Sequence, residues 1–159
     1  MKTIERRIVV AYIVSRDGML LLGKKAPSSG GVYVDSWHNP GGGVESGESD
    51  RQALGREVLE EAGIDITTAT IACVDSQGTG KAAKTLSDGT KILVKMHFLV
   101  YRVGLATTAA DTPSHPGDDL AVLQWFPLDI LGAINLTPPA KELFARIGTD
   151  WILTAEATT

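Results

Sequence analysis

Apolar residues run unbroken from Ile8 to Val14, the pattern of a strand covered on both faces, and predict a strand over residues 7–14. Arg16, Asp17 and Gly18 turn the chain, and residues 19–25 return as the second strand of a hairpin whose Asp-Gly pair supplies positive φ angles. Residues 26–31, with a proline, two serines and two glycines, read as a flexible loop. Trp37, His38 and Asn39 then form a short extended approach to three glycines, Gly41, Gly42 and Gly43. Residues 67–74 are β-branched and apolar and predict a strand, whereas residues 76–84 are polar, show no period and read as a loop. After a turn at Asp88-Gly89, Ile92, Val94, Met96, Phe98 and Val100 alternate with Lys91, Leu93, Lys95 and His97, giving a strand with one dry face and one mixed face. Residues 106–119 form a long Thr/Pro/Asp/Gly loop of the kind that is functional or mobile, and residues 121–126 a further strand. Thr137 and Pro138 start a last helix that runs to Ile147 and stops at Gly148. Several strands with one helix between them and another at the end predict an α/β domain over residues 1–154, a mixed sheet covered by helices on both faces. A frayed tail, residues 155–159, follows.

The pattern changes period between Ser49 and Gly63. Ser49 precedes Gln52 by three residues, a capping box that starts a helix at Asp50, and Gly63 ends it by adopting the left-handed conformation without a Cβ penalty. At 100° per residue, Glu60 lies about 60° to one side of Glu57 and Glu61 about 40° to the other. Leu54, Val58, Leu59 and Ala62 form a separate apolar strip for packing on a sheet. Gly55, inside the helix, costs about 1 kcal/mol against alanine, and close packing is the expected reason for it. Two unit charges 4 Å apart repel by about 4 kcal/mol at an effective dielectric of 20, so three glutamates on one strip call for a cation. A site of carboxylate oxygens without His or Cys suits a hard divalent ion.

Composition narrows the partners. The chain has 159 residues, 43% hydrophobic, enough for one compact soluble domain with a real core. Its single cysteine, Cys73, excludes an internal disulfide and reads as a buried strand residue, in keeping with a cytoplasmic setting. The N-terminal apolar run is short and lacks a cleavage site, and no stretch is long enough to span a bilayer, so no membrane is expected. The net charge is −4, and residues 45–61 alone hold six acids against two arginines, so the acidity is local. No basic stripe favours a nucleic-acid polymer, whereas a small phosphate ester delivered with a divalent cation fits.

From Gly42 the chain reads Gly, five residues, Glu48, seven residues, Arg56-Glu57-Val58, one residue, Glu60-Glu61, one residue, Gly63-Ile64. This resembles the complete signature of the Nudix hydrolase family, with a chance match on the order of one in ten million at average residue usage. The hairpin before it, the Trp37 to Gly43 approach and the stretch Leu123-Gln124-Trp125-Phe126-Pro127 also resemble their family equivalents. The resemblance implies an α/β/α sandwich and Mg²⁺- or Mn²⁺-dependent hydrolysis of a nucleoside diphosphate linked to another moiety. It makes Glu57, Glu60, Glu61 and the carbonyl of Gly41 metal ligands. It also implies an Arg56–Glu48 pair that holds loop against helix, and a loop acid at Asp119, six residues before Trp125 and beside Asp118. The glycines allow a sharp turn and a close backbone approach to phosphate, with Gly42 and Gly43 nearest it.

Blander readings stand beside these. Glu45 and Asp50 fall at unconstrained positions and read as exposed. His38 and Asn39, before Pro40, are candidates for the base pocket or for ordinary structural hydrogen bonds, and His97 on the mixed strand face divides the same way. His115 reads as solvent-exposed. Lys24 and Lys25 end the second strand beside the site, where Lys24 is the candidate for phosphate and the other an edge-strand lysine. The leading expectation is a pyrophosphohydrolase that converts a nucleoside triphosphate to the monophosphate and pyrophosphate. A nucleotide sugar, ADP-ribose or a dinucleoside polyphosphate is the alternative substrate, and a Nudix-fold nucleotide sensor without turnover is the alternative class. A homodimer is left open.

Overall fold

The computed structural model describes residues 1–27 and 33–154, so most of the loop expected at 26–31 and the tail expected at 155–159 lie outside the described residues. The strands are β1 (Lys2–Val14), β2 (Met19–Lys25), β3 (Gly41–Gly43), β4 (Thr70–Asp75), β5 (Thr79–Thr85), β6 (Lys91–Gly104) and β7 (Leu120–Pro127). Helix α1 covers Asp50–Ala62 and α2 Pro138–Ile147, and one turn of helix, α3, follows at Trp151–Thr154. The strands form one seven-stranded sheet in the order β4-β6-β1-β2-β7, with β3 added to β1 and β5 to β6. Among the described strands, only β1 and β6 run parallel, in register from Lys2 opposite Ile92 to Val14 opposite Gly104. The sheet is therefore mixed. Among the described residues, no helix is long and apolar enough to cross a membrane.

Strand alternation divides the core in two. Val9, Ala11 and Ile13 of β1, with Leu21, Leu99 and Val103, pack against Ala53, Leu54, Val58 and Ala62 of α1. Tyr12 and Val14, with Leu20, Leu22, Val100 and Phe126, pack against Leu131, Ala140, Leu143 and Ile152 on the opposite side. Helices thus cover both faces of the sheet, the sandwich that the hydrophobic pattern called for. Each fully buried Leu or Val on these faces stabilises the fold by roughly 1.5–3 kcal/mol. The second layer is shorter than the sheet. Ile4, Ile8 and Val10 of β1 lie beside Val94, Met96 and Phe98 of β6 on one face and are only half-buried, leaving an open apolar surface.

Several expectations change. The glycines do not form a turn: Gly41–Gly43 is extended and pairs with β1 from Ile8–Gly43 to Val10–Gly41, and the positive φ that turns the chain belongs to Gly47, at 79°. Residues 79–85, expected in a loop, form β5, paired along one edge to β6 and with most side chains in water, so no apolar period marks it. β4 starts at Thr70 because the Asp65 side chain accepts the Thr67 N–H and holds residues 67 and 68 in a turn. Cys73 is in a strand as expected but is exposed, since β4 is an edge strand with a bulge between Cys73 and Asp75. Gly55 has nothing within 4 Å of the space a Cβ would fill, so close packing does not explain it.

Candidate active site

Helix α1 begins and ends as its sequence directs. The Ser49 side chain accepts the Gln52 N–H at 3.1 Å, the Gln52 side chain accepts the Ser49 N–H at 2.9 Å, and Gly63 closes the helix at φ 68°. Its apolar strip faces the sheet, which turns Glu57 and Glu61 along the margin of β3. They are 8% and 7% exposed, while the Glu60 side chain, a step further round, is 45% exposed.

β3 is built around these acids. A Cβ at Gly42 would meet the Glu57 carboxylate, so glycine here leaves that carboxylate its place against the strand. Antiparallel pairing sends alternate backbone groups to opposite edges. Pro40 and Val44 bond to β1 through Ala11 and Arg7, so Gly41 and Gly43 present their polar groups to the free edge. There the Gly41 N–H donates to Glu61 at 2.7 Å, and the Gly43 carbonyl accepts from Arg56 at 3.0 Å. The same alternation turns the Gly41 carbonyl toward the acids.

Arg56 binds Glu48 through two parallel contacts of 2.8 and 2.9 Å and reaches Glu57 at 2.8 Å and Glu60 at 3.4 Å. These bonds, with the Glu45 N–H, lower the Glu48 pKa to about 2, so Glu48 stays charged and fixes the loop after β3 to the helix. Glu61 goes the other way. Burial raises its pKa to about 7, the Gly41 N–H opposes this, and the charges of Glu57, Asp118 and Asp119 add to the rise. The Glu57 pKa is also raised, chiefly by burial.

The β6–β7 loop completes the group. Its end docks on the last turn of α1, where the His115 N–H donates to the Ala62 carbonyl at 3.0 Å and the Gly117 N–H to the Glu61 carbonyl at 3.1 Å. Asp118 follows in a left-handed conformation, φ 53°. Ligand oxygens of Glu57, Glu60 and Asp118 lie within 4.8 Å of one another. Asp119, the acid expected from the sequence, stands outside this trio but close enough to Glu61 to raise its pKa. The tight turn at Gly117 selects Asp118, and strand-to-acid spacing alone does not reveal that turn. Arg56 offsets part of the charge on Glu57 and Glu60, and the three carboxylates together present an oxygen-only donor set that fits a hard divalent cation.

The remaining candidates are more dispersed. Lys24 Nζ sits 4.8 Å from the centroid of the Trp37 ring, and Asn39 reaches the Ala11 carbonyl at 3.5 Å. His38 is half-buried, with Nε2 2.8 Å from the Tyr33 carbonyl oxygen, and burial lowers its pKa. His97 lies on β6, separated from β3 by β1, with Nε2 2.6 Å from the Ser76 carbonyl oxygen. It borders a groove of about 900 Å³ on the uncovered part of the sheet, between Arg7, Lys95 and Lys81. Both histidines therefore hold structural bonds.

The NUDIX domain family model matches residues 5–147, nearly the whole chain. The chain belongs to the Nudix family. The nucleoside triphosphatase NudI of Escherichia coli is 35% identical over 96 residues, covering 60% of this chain and 67% of that protein. The NudI of an Enterobacter species is 29% identical over 143 residues, 90% of this chain and 97% of that protein. The crystal structure of a MutT protein from Methanosarcina mazei superposes with a TM-score of 0.65 at 23% identity, covering 92% of this chain and 94% of that one. That likeness supports the same fold, and the acid-bearing helix beside a glycine strand is this Nudix chain's candidate catalytic centre.

Proposed function

We propose that this Nudix chain is a Mg²⁺- or Mn²⁺-dependent pyrophosphohydrolase that cleaves a nucleoside triphosphate to the monophosphate and pyrophosphate. The observation that carries the reading is the oxygen-only group of Glu57, Glu60 and Asp118, set against β3 with Glu61 and the Gly41 carbonyl on the same edge. Its likeness to two NudI nucleoside triphosphatases favours a triphosphate over the ADP-ribose, nucleotide-sugar and dinucleoside polyphosphate alternatives. A divalent ion bound by these oxygens would neutralise charge on the phosphates and acidify a water.

The chain's own residues do the rest. Glu48 and Arg56 hold the helix and the β3 edge in register, so the acids and the exposed Gly41 backbone stay aligned. Gly42 and Gly43 keep side chains out of the path that phosphate takes along the strand. The half-buried apolar face of Ile8, Val10, Met96 and Phe98 offers a flat surface for a nucleobase, with Lys24, His38 and Asn39 on the neighbouring chain segments. In the reaction a water oxygen forms a bond to the α-phosphorus, the bond from that phosphorus to the bridging oxygen breaks, and the water proton passes to a carboxylate.

The test is pyrophosphate release from a panel of nucleoside triphosphates with Mg²⁺. Glu60→Gln and Glu61→Gln are expected to lower kcat about 100-fold or more, equivalent to about 2.7 kcal/mol of barrier. Full turnover in both variants would remove the metal assignment. Wild-type binding without turnover of any nucleotide would make the chain a sensor.

A further inference from the structure

The chain has seven arginines, and six of them have partners. Arg7 binds Asp50, Arg56 Glu48 and Arg146 Asp75, while Arg16, Arg51 and Arg102 donate to the carbonyls of Ala106, Ile71 and Ile152. Among the described residues, Arg6 alone of the seven has no hydrogen bond or ion pair. Its position is set by alternation along β1. Arg7 points to the α1 side, where it meets the helix N-terminus, and Arg6 points to the other face, in line with Ile4, Ile8 and Met96. The Arg6 guanidinium lies over Gly43, in the space that a side chain at 43 would fill. One residue back along β3, on the opposite face of the strand, the Glu57 carboxylate occupies the corresponding space at Gly42. A free guanidinium and the metal-ligating acids thus flank one three-residue strand, and the apolar surface for a base begins at the guanidinium.

We infer that Arg6 is a substrate-binding residue that grips a phosphate of the triphosphate chain as it passes over β3. A triphosphate brings more negative charge than one divalent cation cancels. A planar guanidinium offers paired N–H donors that match two phosphate oxygens, and an Arg with no internal anion has no partner to give up when substrate arrives. The inference rests on the triphosphate reading for its substrate, but the contact itself is with phosphate.

Calorimetric titration of the whole chain with inorganic tripolyphosphate, and separately with an unphosphorylated nucleoside, tests it in the presence of Mg²⁺. Arg6→Ala is expected to weaken tripolyphosphate binding about tenfold and leave nucleoside binding unchanged, with Arg6→Lys recovering part of the loss. Arg7→Ala, on the opposite face, is the control and is expected to stay within about twofold of wild type. Unchanged tripolyphosphate binding in Arg6→Ala overturns the assignment. So does an equal loss in Arg7→Ala, which would reduce the effect to general charge, or an equal loss of nucleoside binding, which would place Arg6 at the base. Arg6-dependent tripolyphosphate binding by a protein that cleaves no triphosphate would uphold the contact and remove only the proposed reaction. Turnover that ignores Arg6 would do the reverse.

Discussion

Glu61 shows how the site sits at odds with its own fold. Burial pushes its pKa up to about 7 from the ordinary glutamate value of 4.5, so the folded chain binds more protons than the unfolded one between those two values. Stability from this group is therefore full below about pH 4.5 and falls as pH rises toward 7, the reverse of a salt-bridged acid. The ceiling is about 3 kcal/mol, from 1.36 kcal/mol per pKa unit. In metal-free protein, Glu61→Gln keeps an acceptor for the Gly41 N–H and removes the charge. Its stability relative to wild type should rise by up to that amount between pH 5 and 7.5, read from urea melts at each pH. A difference that does not change with pH would mean that Glu61 titrates normally. The spacing of the glutamates was legible because helical periodicity fixes which side chains share a strip. That Asp118, and not Asp119, comes within reach of Glu57 and Glu60 was not legible, because it turns on the left-handed φ of Asp118 in a loop docked on α1.

At the scale of elements, the same contact makes the β6–β7 loop part of α1. A Cβ on Gly117 would run into the Glu60 carbonyl, and the Gly117 and His115 N–H groups satisfy helix-end carbonyls that an exposed terminus leaves to water. Gly117 thus holds Asp118 beside Glu57 and Glu60, and in the proposed metal site it would act as a positioning residue. Gly117→Ala should lower kcat about tenfold, weaken Mn²⁺ binding followed by electron paramagnetic resonance, and shift the melting temperature little, since the loop is exposed. Wild-type Mn²⁺ affinity in that variant would show that the loop does not supply a ligand. Elements with local punctuation were readable from sequence: the Ser49 box, the Gly63 and Gly148 ends and the Asp17-Gly18 and Asp88-Gly89 turns all fall where expected. β5 and the first half of β1 were not, because their polar side chains face water on both sides and only partner strands hold them extended.

Across the whole molecule, the parallel β1–β6 pair is longer than either helical layer, which is why an apolar face stays only half-covered. One ion pair ties the sheet to the helix nearest that opening. Asp75, at the β4 bulge, has a side chain only 5% exposed and takes both its oxygens to Arg146 of α2, at 2.6 and 3.0 Å. Arg146 also holds Glu142, one turn earlier, and comes near Gly78, which in turn adjoins Phe98 beside the open face. The Arg146 hydrogen bonds lower the Asp75 pKa below 3.8. Their contribution is present above about pH 4 and is lost as pH falls through the depressed value. Arg146→Ala leaves a buried carboxylate with the Gln77 N–H as a remaining donor. It should cost about 2 kcal/mol at pH 7, below the 3–5 typical of fully buried pairs because the arginine is 31% exposed. Urea denaturation measures this, and the gap to wild type should close as pH drops below 4. Asp75→Asn made on top of Arg146→Ala should recover part of the loss, because it removes the stranded charge. If the double variant were no more stable than Arg146→Ala alone, the cost would come from lost packing of the arginine stem and not from the ion pair.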